Sequence, residues 1–246
     1  MKKLILSLLI CLFTATTFAQ DDRPFRIGFA ILPSASTIKP EGEIFTKSSG
    51  KFGFAYGLLA EFNFGAGNYA FASGLLVNSL GGTIRNDNYH DGDTSVTKFG
   101  QVEEKYALQY IQIPLTLKLK TNEIGYLTYF GQFGLDLGFK IKSKADITGT
   151  YDLGAVNDTD VNVSDDIQPL RSALNVGAGF EYNISGDTYL VTSFIWNNGL
   201  TNVFKKEAWK STEDGSPDIV DGSVRKEKDN IKAINNYFGL SIAMFF

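Results

Sequence analysis

Residues 51–64, KFGFAYGLLAEFNF, alternate between two kinds of side chain. Since successive side chains of a β-strand point to opposite faces, this stretch predicts a strand with one apolar face and one small or polar face. The apolar face comprises Phe52, Phe54, Tyr56, Leu58, Phe62 and Phe64, and the other face comprises Gly53, Ala55, Gly57, Glu61 and Asn63.

Segments with the same period of two recur along the chain. They are clear at residues 110–120, 126–141, 170–184 and 236–246, and weaker at residues 24–33, 69–80 and 189–203. Beyond residue 20 there is no helical periodicity of useful length. Together with residues 51–64, these segments predict eight strands and an all-β fold.

The predicted connections alternate between short and long. The short ones are residues 65–68, 121–125 and 185–188, and the long polar ones are about residues 34–50, 81–105, 143–169 and 204–232. Long loops are unusual in a compact soluble domain, but they are typical of the outer side of a bacterial outer-membrane barrel. The sequence thus predicts an eight-stranded antiparallel up-and-down transmembrane β-barrel with short periplasmic turns, four long extracellular loops and both termini in the periplasm.

The large apolar face is expected to point outward and to meet lipid. A soluble lipocalin-like barrel would place that face inside, and its second face would carry many Lys, Glu and Thr. Here the second face is rich in Gly, Ala, Asn and Gln, which suits the crowded interior of an eight-stranded barrel. An interfacial aromatic girdle is expected near the short turns, at Tyr69, Tyr126, Tyr182 and Tyr189.

The first 19 residues have the pattern of a secretory signal peptide. Lys2 and Lys3 precede an apolar run that is too short to span a bilayer as a helix, and small residues lead to an expected cleavage after Ala19. We predict a cleaved signal over residues 1–19 and one outer-membrane barrel domain over residues 20–246. Since the only Cys is Cys11, the mature chain has no disulfide or thiolate metal site.

Composition excludes several classes of protein. The 20 Phe and 11 Tyr are too many for a disordered chain, and a mean hydropathy of −0.05 is too low for a helical membrane bundle. The formal net charge of −4 excludes a strongly basic nucleic-acid-binding protein. No phosphate-cradling Gly loop, zinc-ligand spacing or dinucleotide fingerprint occurs, so no cofactor is expected.

The layout resembles the PorT-like outer-membrane β-barrel family of Bacteroidota. The resemblance is carried by YIQIPLTLKLK (residues 110–120), GQFGLDLGFK (residues 131–140), the Phe-Ala-Gln end of the signal and the aromatic end of the chain. The Ile113-Pro114-Leu115 element is the most specific part, and the resemblance covers essentially the whole mature chain. It implies an outer-membrane barrel. Most family members have no assigned activity, and the founding type is linked to type IX protein secretion.

Charged residues on the second face are expected to form a salt-bridge network that fills the lumen. Charges held away from water need partners, and eight strands leave an interior just wide enough for side chains. The alternative is a charged conduction path, which would make the protein a narrow pore. The residues concerned are Arg26, Glu61, Lys118, Asp136, Lys140, Arg171 and Glu181.

A catalytic site is not expected. The single His, His90, has Asp91 and Ser95 nearby, but the chain contains no G-x-S-x-G nucleophile elbow. A lipid-modifying enzyme that uses His90 is therefore the weakest functional alternative. The protein is predicted not to be an enzyme.

Two acidic clusters in the long connections could attract a divalent cation such as calcium. They comprise Asp87, Asp91 and Asp93, and Asp146, Asp152, Asp158, Asp160, Asp165 and Asp166. Their spacing does not match the regular calcium-binding loop, so a solvated acidic surface is preferred and no metal site is predicted.

The fourth long connection contains balanced charges and therefore has no nucleic-acid footprint. Trp209 within it is expected to be exposed, where it could anchor a protein partner or pack on the barrel rim. The last strand is expected to present an assembly signal to the barrel assembly machinery, which can recognise a strand edge by pairing with it. That signal comprises Phe238, Leu240, Ile242, Met244 and Phe246.

These patterns together predict an outer-membrane protein with a structural or interaction role. Its expected partners are outer-membrane lipid, the assembly machinery during insertion, and a secretion-complex or surface protein.

Overall fold

A computed structural model describes residues 24–41, 46–65, 67–89, 100–151, 154–205, 207–209, 219–220, 223–224, 228–230 and 232–246. The predicted signal peptide lies outside these residues. Within them, eight long strands form the body of the molecule: β1 (Phe25–Glu41), β2 (Lys51–Phe64), β3 (Tyr69–Tyr89), β4 (Gly100–Lys120), β5 (Leu127–Tyr151), β6 (Leu170–Ser185), β7 (Thr188–Gly199) and β8 (Lys232–Phe245). No helix in these ranges is long and apolar enough to cross a membrane.

The eight strands form a closed ring. Each strand pairs antiparallel with its neighbours in sequence. The ring closes between β1 and β8, where the register runs from Gly28 opposite Phe245 to Glu41 opposite Lys232. The predicted eight-stranded up-and-down barrel is therefore confirmed.

The two ends of the barrel differ. At one end, called the turn end below, the described connections are residues 65 and 67–68, residues 121–126, and residues 186–187. At the opposite end, called the loop end, lie the long connections. The predicted alternation of short and long connections is thus present in the structure.

Four strands are longer than the sequence analysis predicts. β1 continues to Glu41, β3 to Tyr89 and β5 to Tyr151, while β4 begins at Gly100. The expectation of structureless loops over about residues 34–50, 81–105 and 143–169 is therefore wrong in large part. Alternation of apolar and polar residues reveals only the part of each strand that faces lipid. Beyond that part the strands have no apolar face, but their backbones continue to form hydrogen bonds with each other.

The prolonged strands build a sheet that projects from the loop end. β3, β4 and β5 form its centre, the short strand Thr46–Ser49 pairs with β3, and Gly154–Asn162 pairs with β5. Two further strand pairs lie in the fourth long connection, Glu207–Trp209 with Lys228–Asn230 and Ile219–Val220 with Ser223–Val224.

Several candidate loop residues cannot be placed. His90, Asp91, Asp93, Ser95 and Asp152 lie outside the described residues, as do the side chains of Asp87 and Trp209. Of the remaining acids, Asp160 accepts a hydrogen bond from Lys144, which lowers the pKa of Asp160. Among the described residues, no group of three or more His, Cys, Asp or Glu side chains could hold a metal ion.

The faces of the barrel agree with the predicted inside and outside. Phe52 is 74% exposed, whereas Glu61 on the same strand is 1% exposed. Of the expected assembly signal, Phe238, Leu240, Ile242 and Met244 alternate with buried neighbours and point away from the lumen, whereas Phe246 follows the strand and borders the space at the turn end beside Arg26 and Lys120. Tyr69, Tyr126 and Tyr182 are exposed near the turn end, as expected for a girdle.

Tyr189 is an exception to the predicted girdle. Its ring lies 5.1 Å from the Arg26 guanidinium, inside the turn end of the barrel. The alternation along β7 explains this position. Val191 is buried and Phe194 is exposed, so the odd-numbered residues of this strand, including Tyr189, face inward.

The close approach of β4 and β5 can be tested with two glycines of β5. A Cβ atom added to Gly134 would lie 2.1 Å from the carbonyl oxygen of Leu115, whereas one added to Gly131 would meet nothing within 4 Å. We expect Gly134→Ala to lower the free energy of unfolding by about 1–3 kcal/mol because the strands must separate. Gly131→Ala should leave it almost unchanged, as measured by urea unfolding of the purified barrel. Equal effects of the two substitutions would contradict the geometry.

Candidate functional site in the barrel lumen

The lumen is filled by three successive groups of side chains. We name them the turn-end cluster (Arg26, Glu61, Lys118, Lys120 and Glu181), the middle cluster (Gln112, Asp136, Asn175, Asn197 and Tyr237) and the loop-end cap (Val163, Ile167, Val203 and Phe204). These groups occupy successive levels of the barrel.

In the turn-end cluster, Arg26 bridges two carboxylates from different strands. Arg26 and Glu61 are direct cross-strand neighbours on β1 and β2. The guanidinium donates to Glu61 Oε2 at 2.9 Å from Nε and to Glu181 Oε1 at 2.6 Å. Arg26 therefore ties β1 and β2 to β6 through the lumen.

Two lysines of β4 complete this cluster. Lys118 donates to Glu61, and Lys120 Nζ lies 3.0 Å from Glu181 Oε1. Three cations thus meet two carboxylates. Aromatic rings face the surplus positive charge: Arg26 lies 4.9 Å from the Phe245 ring centroid and Lys118 lies 4.5 Å from that of Phe130. Such cation–π contacts stabilise a desolvated cation.

In the middle cluster, uncharged donors surround the buried carboxylate of Asp136. Gln112 Nε2 and Asn197 Nδ2 each donate to it at 2.7 Å, and Asn175 Nδ2 donates at 3.0 Å. The Tyr237 hydroxyl lies 3.4 Å away. Since a carboxylate is acceptor-only, this set of amide and hydroxyl donors satisfies it without a direct salt bridge.

Arg171 is connected to Asp136 through Asn197. Its guanidinium donates to the Asn197 side-chain oxygen and to the Asn235 carbonyl at 2.9 Å. Because Asn197 also donates to Asp136, it links the two opposite charges by hydrogen bonds. This arrangement connects β5, β6, β7 and β8 across the lumen.

A small cavity separates the turn-end cluster from the middle cluster. Its volume is about 50 Å³, and it is bordered by Glu61 and Lys118 on one side and by Gln112, Asn175 and Tyr237 on the other. A space of this size can hold one or two water molecules but cannot pass a hydrated solute.

The loop-end cap is apolar and comes from two long connections. Ile167 and Phe204 form a β-bridge, and the Phe204 ring packs edge-on against Tyr106 with centroids 5.1 Å apart. Lys140 Nζ fixes the connection between β5 and β6 to the barrel wall. It donates to the carbonyl of Ile167 at 2.7 Å and to the carbonyl of Ser164. The cap therefore covers the lumen with buried hydrophobic side chains that are fixed to the barrel wall.

The seven charged residues predicted for the lumen all occur at the barrel interior or its mouth, but they do not form one network. Arg26, Glu61, Lys118 and Glu181 come together in the turn-end cluster. Asp136 and Arg171 meet through amides, and Lys140 holds the cap. The reason is geometric: charges spaced along strands lie at different heights, so only those at one level can pair.

The sequence analysis missed Lys120 and the uncharged partners. The period-two face that contains Gln112, Thr116 and Lys118 also includes Lys120, so the signal was present. The cap was missed because Ile167 and Phe204 stand in otherwise polar connections. Buried apolar residues in a loop become visible only when their contacts are known.

Comparison with known proteins agrees with this architecture. Residues 18–205 match the outer membrane protein beta-barrel domain family, so the chain belongs to that family and is an outer-membrane β-barrel protein. No curated protein matches the sequence.

Solved structures with similar folds share little sequence with this chain. Ail of Yersinia pestis is 13% identical, with 90% of this chain and 97% of Ail covered and a TM-score of 0.31. Neisserial surface protein A is 10% identical, with coverages of 91% and 98% and a TM-score of 0.35. OprG of Pseudomonas aeruginosa is also 10% identical, with coverages of 90% and 94% and a TM-score of 0.35.

The contribution of the turn-end cluster can be tested at Glu61. Glu61→Gln leaves Arg26, Lys118 and Lys120 with a single carboxylate, so we expect the free energy of unfolding to fall by about 3–5 kcal/mol. The double variant Glu61→Gln/Lys118→Gln removes one charge of each sign and should recover part of the loss. Urea unfolding of the reconstituted barrel measures both values.

The control substitution is Glu123→Gln, because Glu123 is exposed in a turn-end connection. Its effect should stay within about 0.5 kcal/mol. If Glu61→Gln were as mild as this control, the cluster would not stabilise the barrel.

Proposed function

We propose that the protein is a closed, non-conducting outer-membrane barrel that anchors a binding surface at its loop end. The observation that carries this proposal is the filled lumen: two polar clusters and an apolar cap follow one another through the described barrel, and the cavity between the two clusters has a volume of about 50 Å³. A barrel that is filled by its own side chains is unsuited to transport, so its function is assigned to binding by its exposed parts.

We further propose that the loop end faces the exterior and that both chain termini lie in the periplasm. Short turns on the periplasmic side and longer extracellular loops are the usual arrangement of outer-membrane barrels. The projecting sheet supports an interaction role, since its outermost strand, Gly154–Asn162, pairs with β5 along one edge and with no strand of the described residues along the other. Strand edges can bind partners by adding a strand.

The resemblance to PorT-like barrels suggests which partner to seek. The proposed role is that of an accessory to a protein secretion or surface-assembly complex, and the assembly machinery would bind the last strand during insertion. The protein is proposed not to be an enzyme. A narrow pore is the second candidate, because the lumen contains charged groups and a cavity between its two polar clusters.

A conductance measurement distinguishes the closed barrel that anchors a binding surface, called the scaffold below, from the pore. The purified barrel in a planar bilayer should show no discrete current steps in 1 M salt, whereas a general porin in the same bilayer provides the positive control. Current steps that change in ion selectivity with the near-isosteric Asp136→Asn substitution would instead establish the pore.

Crosslinking in living cells tests the binding surface. A photoreactive residue in place of exposed Asn157, on the projecting sheet, should capture one protein in near-stoichiometric yield, which mass spectrometry identifies. The same residue in place of Glu123 at the turn end is the control and should not capture that protein. Recovery of the barrel alone from both positions would contradict the scaffold role.

A further inference from the structure

A cleft with a volume of about 440 Å³ opens at the turn end of the barrel, next to the turn-end cluster. We name it the turn-end cleft. Its lining includes Arg26, Lys120 and Glu181 of that cluster. Only 8% of Arg26 and 5% of the Lys120 side chain are exposed. Because a space of this size lies within the usual range of small-molecule sites, the cleft can admit a ligand to groups that are otherwise buried.

The inner part of the turn-end cleft has an excess of positive charge, since three cations of the cluster meet two carboxylates. Arg26 donates to Glu61 and Glu181 through Nε and Nη2, whereas no described residue accepts a hydrogen bond from its Nη1. The rings of Tyr189 and Phe245 lie close to the guanidinium and stabilise it, but they supply no negative charge. The cluster can therefore accept one further carboxylate.

Lys120 has a partner that such a carboxylate can replace. Its Nζ lies 3.0 Å from Glu181 Oε1 and 3.5 Å from Glu61 Oε2, and it donates to Asn63 Oδ1 at 3.0 Å. Asn63 also lines the turn-end cleft. Since an ammonium group forms a stronger hydrogen bond with a carboxylate oxygen than with a neutral amide oxygen, an entering carboxylate can take the place of Asn63.

The outer part of the turn-end cleft carries negative charge. Glu123 and Asp187 line it from two turn-end connections, and both are exposed. An anion with two negative charges would exceed the single surplus cation and would be repelled by these acids, whereas an ammonium group would be attracted to them. The cleft therefore suits a ligand with one carboxylate at its inner end and one ammonium group at its outer end.

We propose that the turn-end cleft binds an amino acid or a short peptide, with the ligand carboxylate on Arg26 and Lys120 and its ammonium group beside Glu123 and Asp187. Charge-assisted hydrogen bonds from arginine and lysine are strong contacts for a carboxylate. This inference goes beyond the proposed scaffold role, and binding at the cleft does not depend on which end of the barrel faces the exterior. In the proposed orientation, the cleft opens to the periplasm.

Three related dipeptides test the proposal on the purified wild-type protein in neutral detergent. They are dialanine, dialanine amide, which lacks the carboxylate, and N-acetyl-dialanine, which lacks the ammonium group. In isothermal titration calorimetry, the amide should bind at least about tenfold more weakly than dialanine, because charge-assisted hydrogen bonds are lost. The acetylated dipeptide should bind about two- to fivefold more weakly, because the two acids that it no longer attracts are exposed. Added salt should weaken the binding of dialanine.

Two single substitutions locate the site. Lys120→Gln leaves two cations and two carboxylates in the cluster, so the barrel should fold, and dialanine binding should weaken at least about tenfold. Lys142→Gln is the matched control, since it removes the same charge from an exposed position at the loop end, and it should bind dialanine like the wild type. Heat-modifiable migration on gels verifies that both variants are folded.

A double substitution tests whether the chain itself supplies the carboxylate. Asp21 and Asp22 precede β1 in the sequence. The variant Asp21→Asn/Asp22→Asn should bind dialanine like the wild type. Binding that is present only in this variant would show that the segment before β1 occupies the cleft, and it would overturn the assignment to a free ligand.

Three further results would overturn the proposal. They are no binding of dialanine to the wild type at a concentration of about 10 mM, equal binding of dialanine and its amide, and equal binding of dialanine by the Lys120→Gln and Lys142→Gln variants. The first two use only the wild-type protein, so they decide the proposal even if Lys120→Gln does not fold.

Discussion

Closure of the backbone hydrogen-bond ring is the constraint on which this structure depends. Inside a bilayer no water is present to satisfy a free N–H or C=O group, so a sheet must have no open edge there. The pairing of β1 with β8 removes that edge and continues as far as Phe246, whose amide donates to the Ile27 carbonyl at 2.9 Å. Once the ring is closed, every strand must direct alternate side chains into a narrow interior.

That interior is filled in three chemically different ways. Near the turn end, ionised groups from four strands pair with one another, and aromatic rings face the surplus positive charge. In the middle, amides surround a single carboxylate, and at the loop end hydrophobic side chains exclude water. Removing one member of a buried ionic cluster leaves an uncompensated charge, so the ionic part is sensitive to single substitutions. This holds even though an intact buried ion pair stabilises a fold little more than well-packed hydrophobic residues would.

Because the interior is filled, the surfaces that could bind other molecules are on the outside of the barrel. Family membership establishes an outer-membrane β-barrel protein, and the structure adds the projecting sheet at the loop end. The projecting sheet continues the strands well beyond the roughly ten residues that a tilted strand needs to cross a membrane.

The sequence alone determined the strand number, the turn end and the two faces, because side-chain alternation is a local property that residues such as Phe52 and Glu61 display directly. It also identified most of the charged lumen residues, since they share the inward period. It could not determine that Arg26 pairs with Glu61 and Glu181 while Lys140 holds a loop, because pairing depends on the register and stagger of strands distant in sequence. The burial of the cap residue Phe204 and the prolongation of the polar strands likewise depend on tertiary structure. A hydrophobic contact or a backbone hydrogen bond between distant segments has no periodic signature in either segment alone.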